Sequence, residues 1–265
     1  MTTSLPDTCN ARAAILGALR SQAPATPLPR PDLQPFLHGP FGRGVPAGDG
    51  SAAPPSTAEL VSAFETAARG WRAEVVHAAP GDWPQALRAA LDRHGCRRIA
   101  IGAASPLQPL LDEALAGLAV RRFDQPIEAW KTELFDTIDA GVTAVDAAVA
   151  HTGTLLLRPG AHEPRTLSLV PPVHVAVLHT RQLRPGLPAA LQALGVPAAP
   201  GTGTGTGTDL PTNLVLITGP SKTSDIQQTL AYGAHGPKVL VIVLVHDDDG
   251  AAAAASGKRE EGSAA

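Results

Sequence analysis

The segment Ile217–Asp225 contains the residue types of an anion-binding loop. The segment contains the end of a strand predicted over 213–219, a turn, and the start of a helix predicted over 224–233. Free N–H groups at a helix start, placed at the carboxyl end of a strand in an α/β sheet, bind anions. The same residues would also suit a simple helix cap. The candidate ligand-binding residues here are Gly219, Ser221, Lys222, Thr223 and Asp225.

Two further loops combine glycine with polar side chains. In Thr152-Gly153-Thr154, the glycine permits a positive φ and the hydroxyls can donate to an anion, although a tight turn uses the same residues. In His235-Gly236, an imidazole stands in a glycine-rich loop, where a surface histidine is the alternative. Arg165 can clamp a carboxylate in a bidentate manner, or it can be an ordinary surface arginine.

Several classes of function lose support from missing motifs and from composition. No Gly-x-Ser-x-Gly or strand-following Gly-x-Gly-x-x-Gly occurs, which disfavours a hydrolase and a classical dinucleotide site. Cys9 and Cys96 do not form a CxxC pair, so no metal site is predicted. The net charge of −3 does not favour nucleic acid as a partner. The longest apolar run, 239–245, is far short of the roughly twenty residues of a membrane span.

Strands and helices alternate along the body of the chain, which indicates an α/β fold with a mostly parallel sheet. Helices are predicted over 56–70, 82–94, 106–118, 132–141, 187–194 and 224–233. Strands are predicted over 73–78, 97–102, 120–123, 154–160, 173–179, 213–219 and 238–245.

The chain divides into three regions by composition. Residues 1–55 hold a short helix over 11–20, with Asn10 as its N-cap, followed by a Pro/Gly-rich arm. Residues 56–246 form the body, which includes a Gly-Thr repeat over 201–208 that is predicted as a flexible linker. Residues 247–265 begin with aspartates and continue in an alanine-rich stretch, and we predict a disordered tail.

Four motifs occur in order in the body and together resemble those of one protein family. The first combines Gly141-Val142-Thr143 and Asp146 with Thr152-Gly153-Thr154. The second is Ser168-Leu169-Val170-Pro171-Pro172-Val173-His174. The third runs from Thr218 to Ile226, and the fourth joins Gly233 to His235-Gly236-Pro237. Over residues 56–245 the chain resembles the lactate-utilisation protein C family, also called the LUD family.

The resemblance implies a three-layer α/β fold of the NagB/RpiA/CoA-transferase-like type. It also implies a cytoplasmic bacterial protein that works with two iron–sulfur proteins in the oxidation of L-lactate to pyruvate. The chain itself would carry no cofactor, and the iron–sulfur clusters would belong to the partner subunits. This chain has His151 where the family often has an acid, and no catalytic residue is carried over.

Three hypotheses about function follow. In the first, the chain is a non-redox subunit of a lactate-oxidising complex. Loops 152–154, 221–225 and 235–237 would bind a small carboxylate or phosphate there, with Arg165 or Lys222 as the counter-charge. In the second, it is a stand-alone enzyme of the CoA-transferase-like superfold, acting on a sugar phosphate, a folate or a CoA ester. In the third, it is a structural subunit without a ligand.

Overall fold

The computed structural model describes residues 8–22, 55–105, 107–161, 163–196, 211–224, 230–233 and 235–247. Two units are distinguished, residues 1–32 and residues 33–265. In the first, α1 spans Thr8–Gln22, so the helix begins before Asn10 and the predicted N-cap is wrong. The Gly-Thr linker and all of the Pro/Gly-rich arm except Pro55 lie outside the described residues.

A parallel six-stranded sheet forms the centre of the second unit and confirms the predicted α/β class. Its strands are β1 (Glu74–Ala78), β2 (Arg98–Gly102), β3 (Ala119–Phe123), β4 (Ala140–Ala144), β7 (Val173–His179) and β12 (Val239–Val245). They lie in the order β1-β12-β7-β4-β2-β3. Strand β12 pairs with β1 and β7, and its alternating side chains belong to two core clusters, one on each face of the sheet.

Helices and a smaller sheet cover the two faces of the central sheet. The helices are α2 (Thr57–Gly70), α3 (Trp83–Arg93), α4 (Gln108–Ala114), α5 (Lys131–Asp136), α6 (Thr166–Leu169) and α7 (Leu187–Ala193). On one face, Leu87 and Leu91 of α3 and Leu111 of α4 pack on Val175 and Val243 of the sheet. On the other face, α2 contributes its buried side chains to a second core cluster.

The helix boundaries depart from the sequence prediction where the stop signals are weak. The capping box of α2 is confirmed, because the Glu59 N–H donates to Ser56 Oγ and the Ser56 N–H donates to the Glu59 carboxylate. Asp82 occupies the N-cap position of α3, but its side chain makes no cap hydrogen bond. Helix α5 ends at Asp136, so the predicted helix over 132–141 is wrong at its end. Ala140 there pairs with β2 and β7.

A second, four-stranded sheet was not foreseen from the sequence. It has the order β8-β5-β6-β9, with β5 at Ala147–Val149, β6 at Thr154–Leu157, β8 at Leu183–Arg184 and β9 at Val215–Ile217. Strand β9 pairs antiparallel with β6 and does not extend the central sheet. The carboxyl end of β9 is therefore not at the ligand-binding edge of a parallel sheet, as the sequence prediction assumed.

The helix predicted over 224–233 is wrong. Strands β10 (Lys222–Ser224) and β11 (Leu230–Tyr232) pair antiparallel, with Lys222 opposite Tyr232. A helix was predicted here because the segment follows a strand and a Gly-Pro turn, but Ser224 and Leu230 are paired in strands. Residues 225–229 lie outside the described residues. No helix start is present over 221–224 to bind an anion.

The described fold extends one residue into the predicted tail. Asp247 accepts hydrogen bonds from the Thr180 hydroxyl and from the Arg181 backbone N–H, at 3.1 and 2.7 Å. The prediction of a disordered tail is therefore wrong at Asp247, while residues 248–265 lie outside the described part. Within the residues that the structure describes, no helix is long and apolar enough to cross a membrane.

Candidate functional site

A cleft of about 290 Å³ lies between α6, the central sheet and the loop after β9. Five of the predicted ligand residues line it, namely Gly219, Ser221, Lys222, His235 and Gly236. The cleft also contains His174, the second residue of β7, and Pro237, which precedes β12. It therefore lies near the amino ends of these strands, not at the carboxyl edge that the sequence suggested.

Backbone hydrogen bonds bring the two polar loops of the cleft together. The Ser221 N–H donates to the Pro237 carbonyl at 2.9 Å, and the Gly233 N–H donates to the Ser221 carbonyl at 2.9 Å. Gly219 has a φ of +80°, and a Cβ there would lie 2.4 Å from the Trp71 carbonyl oxygen. Only glycine fits this approach, so the loop after β9 is held against the end of α2.

The inner wall of the cleft carries a buried histidine with one unused nitrogen. His174 is 1% exposed, and its Nε2 lies 2.8 Å from Thr143 Oγ1. Its Nδ1 has no hydrogen-bond partner among the described residues. Burial lowers the pKa of His174 to about 4, so the ring is neutral at pH 7. A neutral imidazole nitrogen can donate or accept a hydrogen bond, depending on its tautomer.

The ionisable side chains described in the cleft are one lysine and two histidines, namely Lys222, His174 and His235. Lys222 and His235 are exposed, and none of the lining residues is Asp or Glu. The Lys222 ammonium nitrogen lies 3.9 Å from the centroid of the Trp71 ring, in a cation–π contact that holds the side chain at the rim. A cleft that holds a cation, and whose described lining contains no acid, suits an anionic ligand.

The Thr152–Thr154 loop lies behind the cleft and does not line it. The hydroxyls of Thr152 and Thr154 are 2.7 Å apart, and the Thr154 hydroxyl is 2.8 Å from that of Thr218, which does line the cleft. Gly153 has a φ of +63° and packs against Ala68 of α2. The three hydroxyls form one chain of hydrogen bonds. His151 is exposed.

Among the remaining predicted residues, Arg165 has a described side chain, and it does not line the cleft. Arg165 lines two other cavities, and the side chains of Thr223 and Asp225 lie outside the described residues. Arg165 and Lys222 therefore do not serve one ligand in this arrangement.

Two residues of chemical interest were missed by sequence reasoning. His174 lies within the second motif. The motif does not reveal that this residue is buried or that its Nδ1 has no hydrogen-bond partner among the described residues. Glu163 had no motif at all. Its Oε1 accepts hydrogen bonds from the Ala144 N–H at 3.2 Å and from the Ser105 hydroxyl at 3.4 Å. Burial raises the pKa of Glu163 to about 7. A sequence does not reveal which loop carboxylate becomes partly buried.

Metal-binding groups were also sought in the described ranges. There, no cluster of three or more His, Cys, Asp or Glu side chains is arranged to hold a metal ion. Cys96 is buried, and this burial raises the pKa of its thiol to about 11. The carboxylate of the motif residue Asp146 is bound by Arg158. It accepts hydrogen bonds from the Arg158 backbone N–H at 2.7 Å and from the Arg158 Nε at 3.0 Å.

Together these features define an α/β protein with a parallel six-stranded sheet, a second small sheet and, beside them, a cleft with a lysine at its rim. A sequence model of the LUD domain matches residues 64–245. The chain belongs to the LUD domain family, which confirms the resemblance drawn from the four motifs.

Relatives of known sequence and structure cover most of the chain. An uncharacterized protein of Neisseria meningitidis serogroup B is 37% identical over 72% of this chain and 78% of its own length. The lactate utilization protein C of Deinococcus radiodurans is 29% identical over 73% of this chain and 82% of its own length. The crystal structure of a DUF162 family protein from Deinococcus radiodurans matches with a TM-score of 0.52 and 25% identity. That match covers 72% of this chain and 99% of the other.

Proposed function

We propose that this protein acts in lactate utilisation. Relatives from Deinococcus radiodurans and Exiguobacterium that carry the name lactate utilization protein C are 29% and 28% identical to it, and each match covers at least 72% of this chain. The residues that line the cleft lie within the LUD domain match at 64–245. The similarity to these relatives supports a role in lactate utilisation, and the residues that line the cleft support the binding of a carboxylate.

The cleft binds a small carboxylate in this proposal. The observation that carries it is the combination of Lys222, His235 and the unpartnered Nδ1 of His174 in a cleft whose described lining contains no acid. A carboxylate would pair with the Lys222 ammonium group at the rim and place a polar atom against His174. A volume of about 290 Å³ suits a small ligand such as L-lactate or pyruvate.

The protein is further proposed to be the non-redox component of a cytoplasmic L-lactate-oxidising complex. Two iron–sulfur proteins would carry the electrons, and this chain would hold no cluster. The separation of Cys9 and Cys96 in the sequence supports that division, because clusters need several grouped thiolates.

Two measurements test the proposal. Calorimetric titration of the purified protein with L-lactate and with pyruvate should show saturable binding of at least one of them. A tagged chain isolated from lactate-grown cells should carry iron–sulfur proteins with it, while the chain expressed alone should be colourless. Failure of both carboxylates to bind would refute the ligand assignment, and isolation without iron–sulfur proteins would refute the complex.

A further inference from the structure

Lys222, the lysine of the cleft, lies over an aromatic ring that is far from it in sequence. Its ammonium nitrogen is 3.9 Å from the centroid of the Trp71 ring. Trp71 belongs to none of the four motifs and is not among the residues that line the cleft. It is 46% exposed, whereas Trp83 and Trp130 are buried in core clusters. Its ring is therefore at the surface, where a cation can reach it.

The backbone of Trp71 is fixed by the end of helix α2. Trp71 directly follows the last residue of the helix, and its N–H donates to the carbonyls of Ala67 and Ala68, each at 3.1 Å. Phe64 and Ala68 are fully buried in the second core cluster. The indole is therefore attached to a helix end that is anchored in the core.

Gly219 allows the chain that carries Lys222 to approach this helix end closely. A Cβ at Gly219 would lie 2.4 Å from the Trp71 carbonyl oxygen and 2.9 Å from the Trp71 Cβ. Three residues later, Lys222 is paired with Tyr232 in the β10-β11 hairpin. Contacts on both sides of the turn therefore place the lysine side chain within reach of the indole.

We propose that Trp71 is a positioning residue for the carboxylate site, where its indole holds the Lys222 ammonium group in place for the ligand. This inference rests on the function proposed for the cleft. A free lysine side chain has many rotamers, and ordering it on binding lowers the affinity. The negative face of the indole attracts the ammonium group before the ligand arrives. The same face repels a carboxylate, so the ligand pairs with the ammonium group on the side away from the ring.

Substitutions at Trp71 test the contact in the full-length protein, with L-lactate and pyruvate as the probes in calorimetric titrations. Trp71→Leu removes the aromatic face and should weaken carboxylate binding about three- to tenfold. Trp71→Tyr keeps an aromatic face and should recover part of this loss. Phe135→Leu is the matched control and should bind as the wild type does. Phe135 is also an exposed ring under a lysine, and it does not line the cleft.

Fluorinated tryptophan separates the cation–π contact from packing. Fluorine withdraws electron density from the ring face with little change in shape, so each added fluorine weakens the attraction for an ammonium group. Protein made with mono-, di- and trifluorinated tryptophan should therefore lose carboxylate affinity stepwise. Trp83 and Trp130 carry the same label, so the series is repeated in Trp71→Leu, where the affinity should stay constant. Melting curves verify that each protein is folded.

The outcomes distinguish the role of Trp71 from the function of the cleft. Wild-type affinity in Trp71→Leu, or a constant affinity along the fluorinated series, would overturn the role of Trp71 and leave the carboxylate site intact. A stepwise loss that persists in Trp71→Leu would assign the effect to a buried tryptophan and would also overturn it. If neither L-lactate nor pyruvate binds to the wild type, the proposed function and the role of Trp71 are both overturned.

Discussion

Lys222 and His174 occupy opposite positions in the cleft, one at the rim and one within. The lysine was identified from residue type, because it stands in a polar Gly-Pro turn after an apolar stretch. Its contact with Trp71 was not foreseeable, since the two residues are far apart in sequence. The importance of His174 depends on burial and on the single bond to Thr143, neither of which sequence spacing reveals.

Lys222→Ala should weaken carboxylate binding in the cleft by about 1.5–3 kcal/mol, the range of a charged hydrogen bond. Lys131→Ala is the matched control, because Lys131 also lies over an aromatic ring, at 6.0 Å from the centroid of Phe135. Lys131 does not line the cleft, so its variant should bind as the wild type does. Titration calorimetry with L-lactate and pyruvate measures both. Equal affinities for the two variants would show that Lys222 does not contact the ligand.

Glu163→Gln should change how stability depends on pH. The pKa of the Glu163 carboxyl in the folded state is about 7, above its ordinary value of 4.5, so the folded state holds the proton more tightly. The contribution of Glu163 is therefore most favourable below pH 4.5 and is lost as pH rises toward 7. The wild type should lose about 2–3 kcal/mol relative to the variant over this interval. Urea unfolding at pH 5 and pH 8 measures the difference, and parallel pH profiles would contradict the buried-carboxyl assignment.

At the scale of elements, alternation of strands and helices was enough to predict the parallel sheet. Apolar runs such as 238–245 lie in interior strands, and the capping box at Ser56 marks a real helix start. The second sheet was missed because its strands are short and pair antiparallel through contacts that no local pattern specifies. Strands β10 and β11 were predicted as a helix for the same reason. The predicted helix start is absent, but Ser221 and Lys222 still line the cleft.

Gly153→Ala tests how closely the β5–β6 turn packs on α2. A Cβ at Gly153 would lie 2.4 Å from the Ala68 backbone nitrogen, and the φ of +63° strains any other residue. The variant should lose about 2–4 kcal/mol of stability. Gly160→Ala is the control, since nothing lies within 4 Å of its added Cβ and its φ is not in the left-handed region. Thermal melting of both proteins gives the comparison, and equal losses would contradict the close packing.

At the scale of the whole molecule, separate cavities divide the predicted site residues between them. Lys222, Ser221 and His235 belong to the cleft, whereas Arg165 lines two other cavities. The motifs identified the family because their order along the chain is specific. They did not reveal that Arg165 and Lys222 face different spaces, because that depends on the fold.

The measurement that tests the central claim most directly is growth on L-lactate as the sole carbon source. A strain lacking this gene, and any duplicate of it, should fail to grow on L-lactate while growing normally on glucose. Wild-type and Lys131→Ala genes should restore growth, and the Lys222→Ala gene should restore it poorly despite equal protein levels. Normal growth of the deletion strain on L-lactate would contradict the role in lactate utilisation. Full rescue by Lys222→Ala would contradict the role of the cleft.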